Sequence, residues 1–152
     1  MALTILLDSS PLGMVTKRRG IEEAEACLGW VADCRRAGHR IIAPAVARYE
    51  VARELERVGN VAGLQRLALF CAVPGCYLHL TDSAFQTAAR LWAQARTAGL
   101  PTADPRELDC DVLLAAQALD LDLPSTNVVI ATANVGHLAQ FVAAEHWTQI
   151  AP

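Results

Sequence analysis

Short apolar runs alternate along this chain with longer stretches of helical periodicity. The runs are too short for buried helices and end at Gly, Pro or polar residues, which predicts strands at residues 3–7, 40–43, 77–80 and 128–132. Helices are predicted between them, at residues 21–37, 45–58, 61–71, 82–98 and 108–119. Strands that alternate with helices favour an α/β fold, here a three-layer α/β/α sandwich with a mostly parallel central sheet. The 152 residues fit one such domain, spanning 1–152.

Three connecting segments carry signals of their own. Ser9–Pro11 is predicted to form a turn, and the two prolines of Leu100–Pro105 predict a loop. A polar turn is predicted at Asn134. The segment after it contains the apolar Trp147 and Ile150, and we predict no strand or helix there.

The composition argues against several classes of protein. The mean hydropathy is +0.27, yet no uncharged apolar stretch approaches the roughly 18 residues that a membrane span needs. The N-terminal residues lack the pattern of a secretory signal. The five cysteines form no Cys-x-x-Cys pair, which argues against a disulfide framework or a zinc site and favours small core residues in a reducing cytoplasm. The four histidines share no ligand spacing, and we expect them in the core or on the surface.

The net charge of −3 hides an asymmetry between the two halves of the chain. Residues 1–66 hold ten Lys and Arg against eight Asp and Glu, whereas residues 67–152 hold three against eight. Basic clusters in the first half, such as Lys17-Arg18-Arg19, can contact phosphates even on an acidic protein. Solvated helix faces are the alternative explanation for the same clusters.

Oxygen-bearing side chains recur where the predicted strands end or the helices begin. They are Asp8, Glu50, Asp109, Asp111 and Asn134. In open α/β folds, ligands bind outside the carboxyl ends of the strands. A cluster of such oxygen ligands there suits Mg²⁺ or Mn²⁺, because a divalent cation offsets the repulsion among carboxylates.

These residues also have purely structural explanations. Asp8 can cap a following turn through Ser10, and an acid such as Asp111 is favoured at a helix start by the helix dipole. Glu50 lies among charged neighbours typical of an exposed helix face, and it competes for a role with Glu54, one turn further along the same face.

Three local stretches, taken in order, carry a more specific signal. Ile5–Leu12 joins a buried strand to an aspartate that is followed two places on by serine. Asp111–Ala118 opens a helix with an aspartate and an Ala-Ala-x-Ala pattern, and Val129–Leu138 runs from a strand into Thr-x-Asn-x-x-His-Leu. With a glutamate on the helix after the second strand, this order resembles the PIN domain, a metal-dependent ribonuclease fold that includes the VapC-like toxins of bacterial toxin–antitoxin pairs. The resemblance spans almost the whole chain.

The resemblance implies roles by position. Asp8, Glu50 and Asp111 would be the metal-binding carboxylates, and Asn134 would stand at a fourth position that is Asp or Asn in the family. The Ser10 hydroxyl would support Asp8 or a metal-bound water.

Two features depart from the family pattern, and a third leaves a choice open. The late Asp-Phe of the family is His137-Leu138 here, and the amide of Asn134 adds no charge to the site. Asp109, two residues from Asp111, is an alternative or additional metal ligand.

The implied function is that of an enzyme, a Mg²⁺- or Mn²⁺-dependent endoribonuclease. The metal would lower the pKa of a bound water, whose hydroxide attacks an RNA phosphodiester in line, and arginines of the first half would position the RNA. The toxin branch of the family also implies an antitoxin partner, which a small adjacent reading frame encoding a DNA-binding protein would reveal. A homodimer is compatible with the high apolar content and with the helical hairpin at 45–71.

Two other interpretations compete with the nuclease. A haloacid-dehalogenase-like phosphatase also has an aspartate at a strand end, but it needs a second aspartate at position 10, where Ser10 stands. A PIN-like binding or scaffold module with weakened catalysis is the other, and it is motivated by Asn134 and His137. Mn²⁺ affinity that depends on Asp8 would separate the enzyme from the module.

Overall fold

A five-stranded parallel sheet forms the centre of the protein. The computed structural model describes residues 2–99 and 105–152, and residues 105–107 in their backbone only. The strands are β1 (Thr4–Leu7), β2 (Arg40–Pro44), β3 (Tyr77–Leu78), β4 (Val128–Thr132) and β5 (Ala144–His146). Their order across the sheet is β3-β2-β1-β4-β5, and every adjacent pair is parallel. The four predicted strands are confirmed, although β3 ends two residues early.

Helices cover both faces of this sheet, which confirms the predicted α/β/α sandwich. They are α1 (Ser9–Val15), α2 (Glu22–Arg36), α3 (Ala45–Arg57), α4 (Val61–Cys71), α5 (Asp82–Thr97), α6 (Pro105–Leu119) and α7 (Val135–Leu138). The bounds of the five predicted helices differ from these by at most three residues. No helix within the described ranges is long and apolar enough to cross a membrane.

The predicted turn at Ser9–Pro11 is wrong, since these residues begin α1. The Asp8 carboxylate accepts a hydrogen bond from the Ser9 backbone N–H at 2.7 Å and so caps the helix, and proline is tolerated in a first helical turn. The same tolerance explains why α6 begins at Pro105, three residues before the predicted start. The remainder of the predicted loop, 100–104, lies outside the described residues.

The C-terminal segment contains a strand that we did not predict. β5 is three residues long and lies at the edge of the sheet, paired only with β4 among the described strands. Its sequence, Ala-Glu-His, lacks the β-branched run by which a buried strand is recognised.

Alternate residues of the strands pack into separate cores on the two faces. Ile5 and Leu7 of β1 contact the core beneath α1 to α4, whereas Leu6 points to the other face and packs with Leu114 of α6. Side chains on both faces of β1 are fully buried. This is the pattern expected of a central parallel strand.

Four of the five cysteines are buried in the described structure, as predicted for small core residues. Burial raises the pKa of the Cys27 thiol to about 12 and that of Cys34 to about 11. These thiols are therefore protonated at neutral pH and unreactive.

The order of the strands creates a switch point between β1 and β4. The chain runs outward from β1 to β2 and β3, then returns to the opposite side of β1 to form β4. Leu7 of β1 lies beside Ala131 of β4, so the residues that follow the two strands emerge side by side. Such a switch point leaves a crevice at the carboxyl edge of the sheet.

Candidate active site

A cleft of about 360 Å³ lies at this carboxyl edge. Five of the six predicted site residues line it together: Asp8, Ser10, Glu50, Asp111 and Asn134. The other lining residues are Ser9, Arg53, Cys110, Thr132, Ala133 and His137. Residues that follow β1, residues of α3 and α6, and the β4–α7 turn therefore meet in one place, as the hypothesis of an acidic cluster requires.

Asp8 is held in a fixed orientation by two elements. Its Oδ1 accepts the hydrogen bond from Ser9 N, and its Oδ2 accepts one from the Thr132 hydroxyl at 2.8 Å. Its backbone N–H donates to the Ala131 carbonyl at 2.9 Å, which extends the pairing of β1 with β4 by one step. Asp8 therefore caps α1 and also lines the cleft. Ser10, to which we assigned the support of Asp8, lines the cleft, but the hydroxyl that donates to this carboxylate belongs to Thr132.

Glu50 and Glu54 have different surroundings on α3. The Glu50 side chain is 19% exposed and lines the cleft, with Arg53 Nη2 at 3.9 Å from its Oε2. The Glu54 side chain is 61% exposed and pairs with Arg57 at 2.9 Å. The geometry thus brings Glu50 to the cleft and leaves Glu54 on the surface.

Asp109 and Asp111 also point in different directions. Two residues along an α-helix correspond to a rotation of about 200°, so side chains at this spacing face nearly opposite ways. Asp111 lines the cleft, whereas Asp109 is exposed and lies in a separate depression with Phe85 and Trp92. The structure does not bring Asp109 to the predicted site.

The turn after β4 brings an amide and an imidazole into the cleft. The Asn134 backbone N–H donates to Thr132 Oγ1 at 2.9 Å, and Asn134 Nδ2 lies 3.0 Å from His137 Nδ1. That imidazole nitrogen is also 3.7 Å from Asp111 Oδ2. His137 therefore lines the cleft, although the sequence predicts only a surface or core position for each of the four histidines.

Two further residues of the cleft, Arg53 and Cys110, were not predicted. The Arg53 guanidinium lies over the Tyr49 ring at 5.4 Å, and its position three residues after Glu50 is a sequence signal that could have identified it. Burial, followed by the nearby charge of Glu50, raises the pKa of the Cys110 thiol to about 11. Cys110 is therefore protonated at neutral pH and provides no thiolate to the cleft.

A larger groove adjoins the cleft. Its volume is about 760 Å³, and it shares Ser9, Ser10, Glu50 and Arg53 with the cleft. Basic side chains from three further positions line it: Lys17, Arg18 and Arg66. The Glu54 carboxylate lines it too, but positive side chains outnumber the negative ones along this path to the acidic cleft.

The donor types of the cleft suit a hard divalent cation. Three carboxylates and an amide line it, and Mg²⁺ sites commonly combine one or two carboxylates with several waters. Within residues 2–99 and 108–152, however, no three His, Cys, Asp or Glu side chains are placed closely enough to hold one ion together. The cleft therefore fits a cation that is held by fewer side chains and by water, or one whose binding draws the carboxylates together.

Solved structures share this fold over nearly their whole length. FitAcB from Neisseria gonorrhoeae matches with a TM-score of 0.67 at 18% sequence identity, covering 97% of this chain and 100% of that chain. VapBC2 from Rickettsia felis bound to a DNA fragment from their promoter matches with a TM-score of 0.68 at 13% identity, covering 95% and 99%. VapBC-1 from nontypeable Haemophilus influenzae matches with a TM-score of 0.63 at 16% identity, covering 97% and 100%.

These matches establish the fold class. The sandwich and its parallel sheet are PIN-like, as the sequence resemblance predicts. No protein-family model and no curated protein sequence matches the chain. Sequence identities below 20% show that the fold is shared, but they do not show that the activity is shared.

Proposed function

We propose that this protein is a Mg²⁺- or Mn²⁺-dependent endoribonuclease and the toxin of a toxin–antitoxin pair. The observation that carries the proposal is the meeting of Asp8, Glu50 and Asp111 in one cleft at the switch point of a PIN-like sheet. The sequence resemblance implies these same three residues as metal ligands. A bound divalent cation supplies the means to activate water and to offset charge on the leaving oxygen.

The chain's own residues would orient the carboxylates and the RNA. Thr132 and Ser9 N hold the Asp8 carboxylate in one orientation. Lys17 and Arg66, in the adjoining groove, would contact phosphates on either side of the cleaved bond. Arg53, at the junction of groove and cleft, would contact the phosphate that is cut.

The similar structures support the choice of a toxin among PIN-like nucleases. Two of them carry the designation VapBC, and VapC-like toxins are the branch of the family that the sequence resembles. We therefore propose an antitoxin as the partner of this chain. Where a small adjacent reading frame encodes a DNA-binding protein, its co-expression should suppress RNA cleavage, and undiminished cleavage in the isolated complex would contradict the assignment.

A PIN-like binding or scaffold module with weakened catalysis is the second candidate. The observations that favour it are the amide at position 134, the imidazole at 137 and the lack of three converging ligands among the described residues. A module of this kind should bind RNA without cutting it, with or without divalent cations.

A matched pair of substitutions on α3 tests the proposed site. We expect Glu50→Gln to lower RNA cleavage by about a hundredfold or more, because it removes a negative charge from the cleft. Glu56→Gln removes the same charge from an exposed position of the same helix that lines neither the cleft nor the groove, and it should leave the rate within about twofold. Initial rates on a labelled RNA at saturating Mn²⁺ measure both. Equal losses in the two variants would mean that removing a negative charge anywhere on α3 lowers the cleavage rate, and that the position of Glu50 in the cleft is not the cause.

Thr132→Val tests whether Asp8 must be held in place. The change keeps the shape of the side chain but removes the hydroxyl that donates to Asp8 and accepts from Asn134 N. We expect Mn²⁺ affinity to fall about 10–100-fold, the usual effect of losing such a supporting partner. Isothermal titration measures this affinity. Unchanged Mn²⁺ binding would show that this hydrogen bond does not organise the site.

A further inference from the structure

A glutamine of α6 is buried at the place where α3, α6 and the end of β3 meet. Gln117 is 2% exposed, and its Oε1 accepts a hydrogen bond from the Val46 backbone N–H at 3.2 Å. Its Nε2 donates to the Leu78 carbonyl at 3.0 Å and to the His79 carbonyl at 3.3 Å. One side chain therefore joins α6 both to the first turn of α3 and to the end of β3.

The backbone groups that Gln117 binds come from the ends of these elements. Val46 is the second residue of α3, and the N–H groups of a first helical turn have no partner within their own helix. Pro44, at the N-cap of α3, has no side-chain oxygen that could accept from them. Pro44 is also the last residue of β2 and lies beside Leu78 of β3. Gln117 thus fixes α6 to the carboxyl ends of two neighbouring strands.

The hydrogen bonds of Gln117 have a direction, which the apolar packing around them lacks. Val46 and Leu114 pack in the same core on this face of the sheet, and apolar contacts of this kind are non-directional. A buried polar network whose members are all bonded specifies one arrangement of the elements that it joins. Gln117 therefore adds a fixed point between α3 and α6.

The contact between residues 46–50 of α3 and 110–117 of α6, the α3–α6 seam, extends from this fixed point to the cleft. Glu50 follows Val46 by one helical turn, and Cys110 precedes Gln117 by two turns, so each pair lies on one helix face. Glu50, Cys110 and Asp111 all line the cleft. The two helices are therefore antiparallel along the seam, with Gln117 at one end and the cleft at the other. Asp111 lies about 9 Å from Gln117 along the helix axis.

We propose that Gln117 is a positioning residue, which fixes α3 against α6 and thereby sets the separation between the carboxylates of Glu50 and Asp111. Thr132 orients Asp8 from the other side of the cleft. The proposal rests on the proposed function in one respect, since the two carboxylates are taken to bind one cation. A misplacement of about 1 Å at a site can cost about a hundredfold in rate, so a fixed separation matters for the chemistry.

The reactivity of Cys110 reports on the α3–α6 seam without any metal. Cys110 is partly buried, whereas Cys27, Cys34, Cys71 and Cys76 are buried. We expect Gln117→Met, which keeps the length of the side chain and removes its hydrogen bonds, to speed maleimide labelling of Cys110 about tenfold, the scale of one lost hydrogen bond. Mass spectrometry assigns the labelled thiol. Labelling of all five thiols at one faster rate would mean general loosening and would overturn the local role.

Thr87→Val is the matched control. Thr87 of α5 is 9% exposed, and its hydroxyl donates to Asp120 Oδ1 at 3.0 Å, just beyond the end of α6. The change removes a buried hydrogen bond that does not involve α3. We expect it to leave both the labelling of Cys110 and the affinity for Mn²⁺ within about twofold of the wild type.

Manganese titrations of combined variants distinguish positioning from a merely structural role. We expect Gln117→Met to weaken Mn²⁺ binding about tenfold, in the range of losses seen when supporting residues of metal sites are removed. The same change should have less than about a twofold effect in the Glu50→Gln background, because the carboxylate that it positions is gone. In the Asp8→Asn background the effect should remain about tenfold. An equal effect in all backgrounds would overturn the proposal.

Hydrogen exchange of the wild type decides the matter if Gln117→Met does not fold. The Val46 N–H should exchange as slowly as amides in the middle of α3, because its acceptor is buried. Exchange at the rate of an unbonded amide would overturn the proposal.

The outcomes separate this proposal from the proposed function. Mn²⁺ binding that depends on Asp8 and Glu50 but not on Gln117 would overturn the positioning role and leave the nuclease proposal standing. Faster labelling of Cys110 alone in Gln117→Met, with no Mn²⁺ binding by the wild type, would overturn the proposed function and support the role of Gln117 in fixing the two helices.

Discussion

Asp8→Asn is expected to lower RNA cleavage by at least about a thousandfold, or about 4 kcal/mol of activation free energy. The substitution removes the charge of the carboxylate that lies at the switch point of the sheet, between β1 and β4. Asparagine keeps the size and shape of the side chain but binds a divalent cation less strongly, because it has no negative charge. Initial rates of cleavage on a labelled RNA, with a clean preparation of each protein, measure the effect.

The fold should survive this change. Asparagine caps helices about as well as aspartate, so the hydrogen bond from Ser9 N can persist. The Thr132 hydroxyl can rotate and accept from the new amide, which limits the loss in the free energy of unfolding to about 1 kcal/mol. Asp33→Asn, at an exposed surface ion pair with Arg36, is the control for a lost negative charge. Cleavage by Asp8→Asn at the rate of this control would show that the site is assigned wrongly.

Asp111→Asn is expected to lower cleavage by about a hundredfold or more, whereas Asp109→Asn should leave the rate within about twofold. The two positions lie on one helix, two residues apart, and differ in what they face. Asp111 lines the cleft near His137, and Asp109 is exposed beside Phe85 and Trp92. The pair therefore compares the same chemical change inside and outside the site.

The same assay decides between these two aspartates. Thermal unfolding of both variants serves as the control, since a similar small change in Tm would exclude misfolding as the cause of the difference. A larger loss of activity in Asp109→Asn than in Asp111→Asn would reverse the assignment and require the metal to lie on the other side of α6.

Local signals in the sequence predicted most of the helices and strands. α2 is an example, because its apolar positions recur at helical spacing, acids occupy its first turn and arginines its last. Gly38, with φ of +93°, ends that segment as a residue without a Cβ can. α1 was missed because Ser9–Pro11 has the composition of a turn, whereas the cap from Asp8 begins a helix there. β5 was missed because its pairing with β4 determines it and its own residues do not.

The sequence predicted only those site residues that the order of the elements and the family pattern are sufficient to identify. Asp8, Glu50 and Asp111 were identified by their positions after strands or at a helix start, and they do line one cleft. Thr132 was given no role because its hydrogen bond to Asp8 joins residues 124 positions apart, a contact created by the order of the strands.

His137 shows a second reason why sequence reasoning falls short. Its spacing to the other histidines has no meaning, because its neighbours in the cleft are an amide three residues before it and an aspartate on another helix. Only the approach of α7 to α6 brings these groups together. Ligand-spacing rules look for donors along the chain and do not detect such a contact.

Anomalous diffraction from a crystal soaked in Mn²⁺ tests the central claim most directly. The account predicts a manganese peak in the cleft, within bonding distance of Asp8 and Asp111, and the loss of that peak in Asp8→Asn. A cleft without manganese, at a Mn²⁺ concentration where the same protein cleaves RNA, would contradict the account.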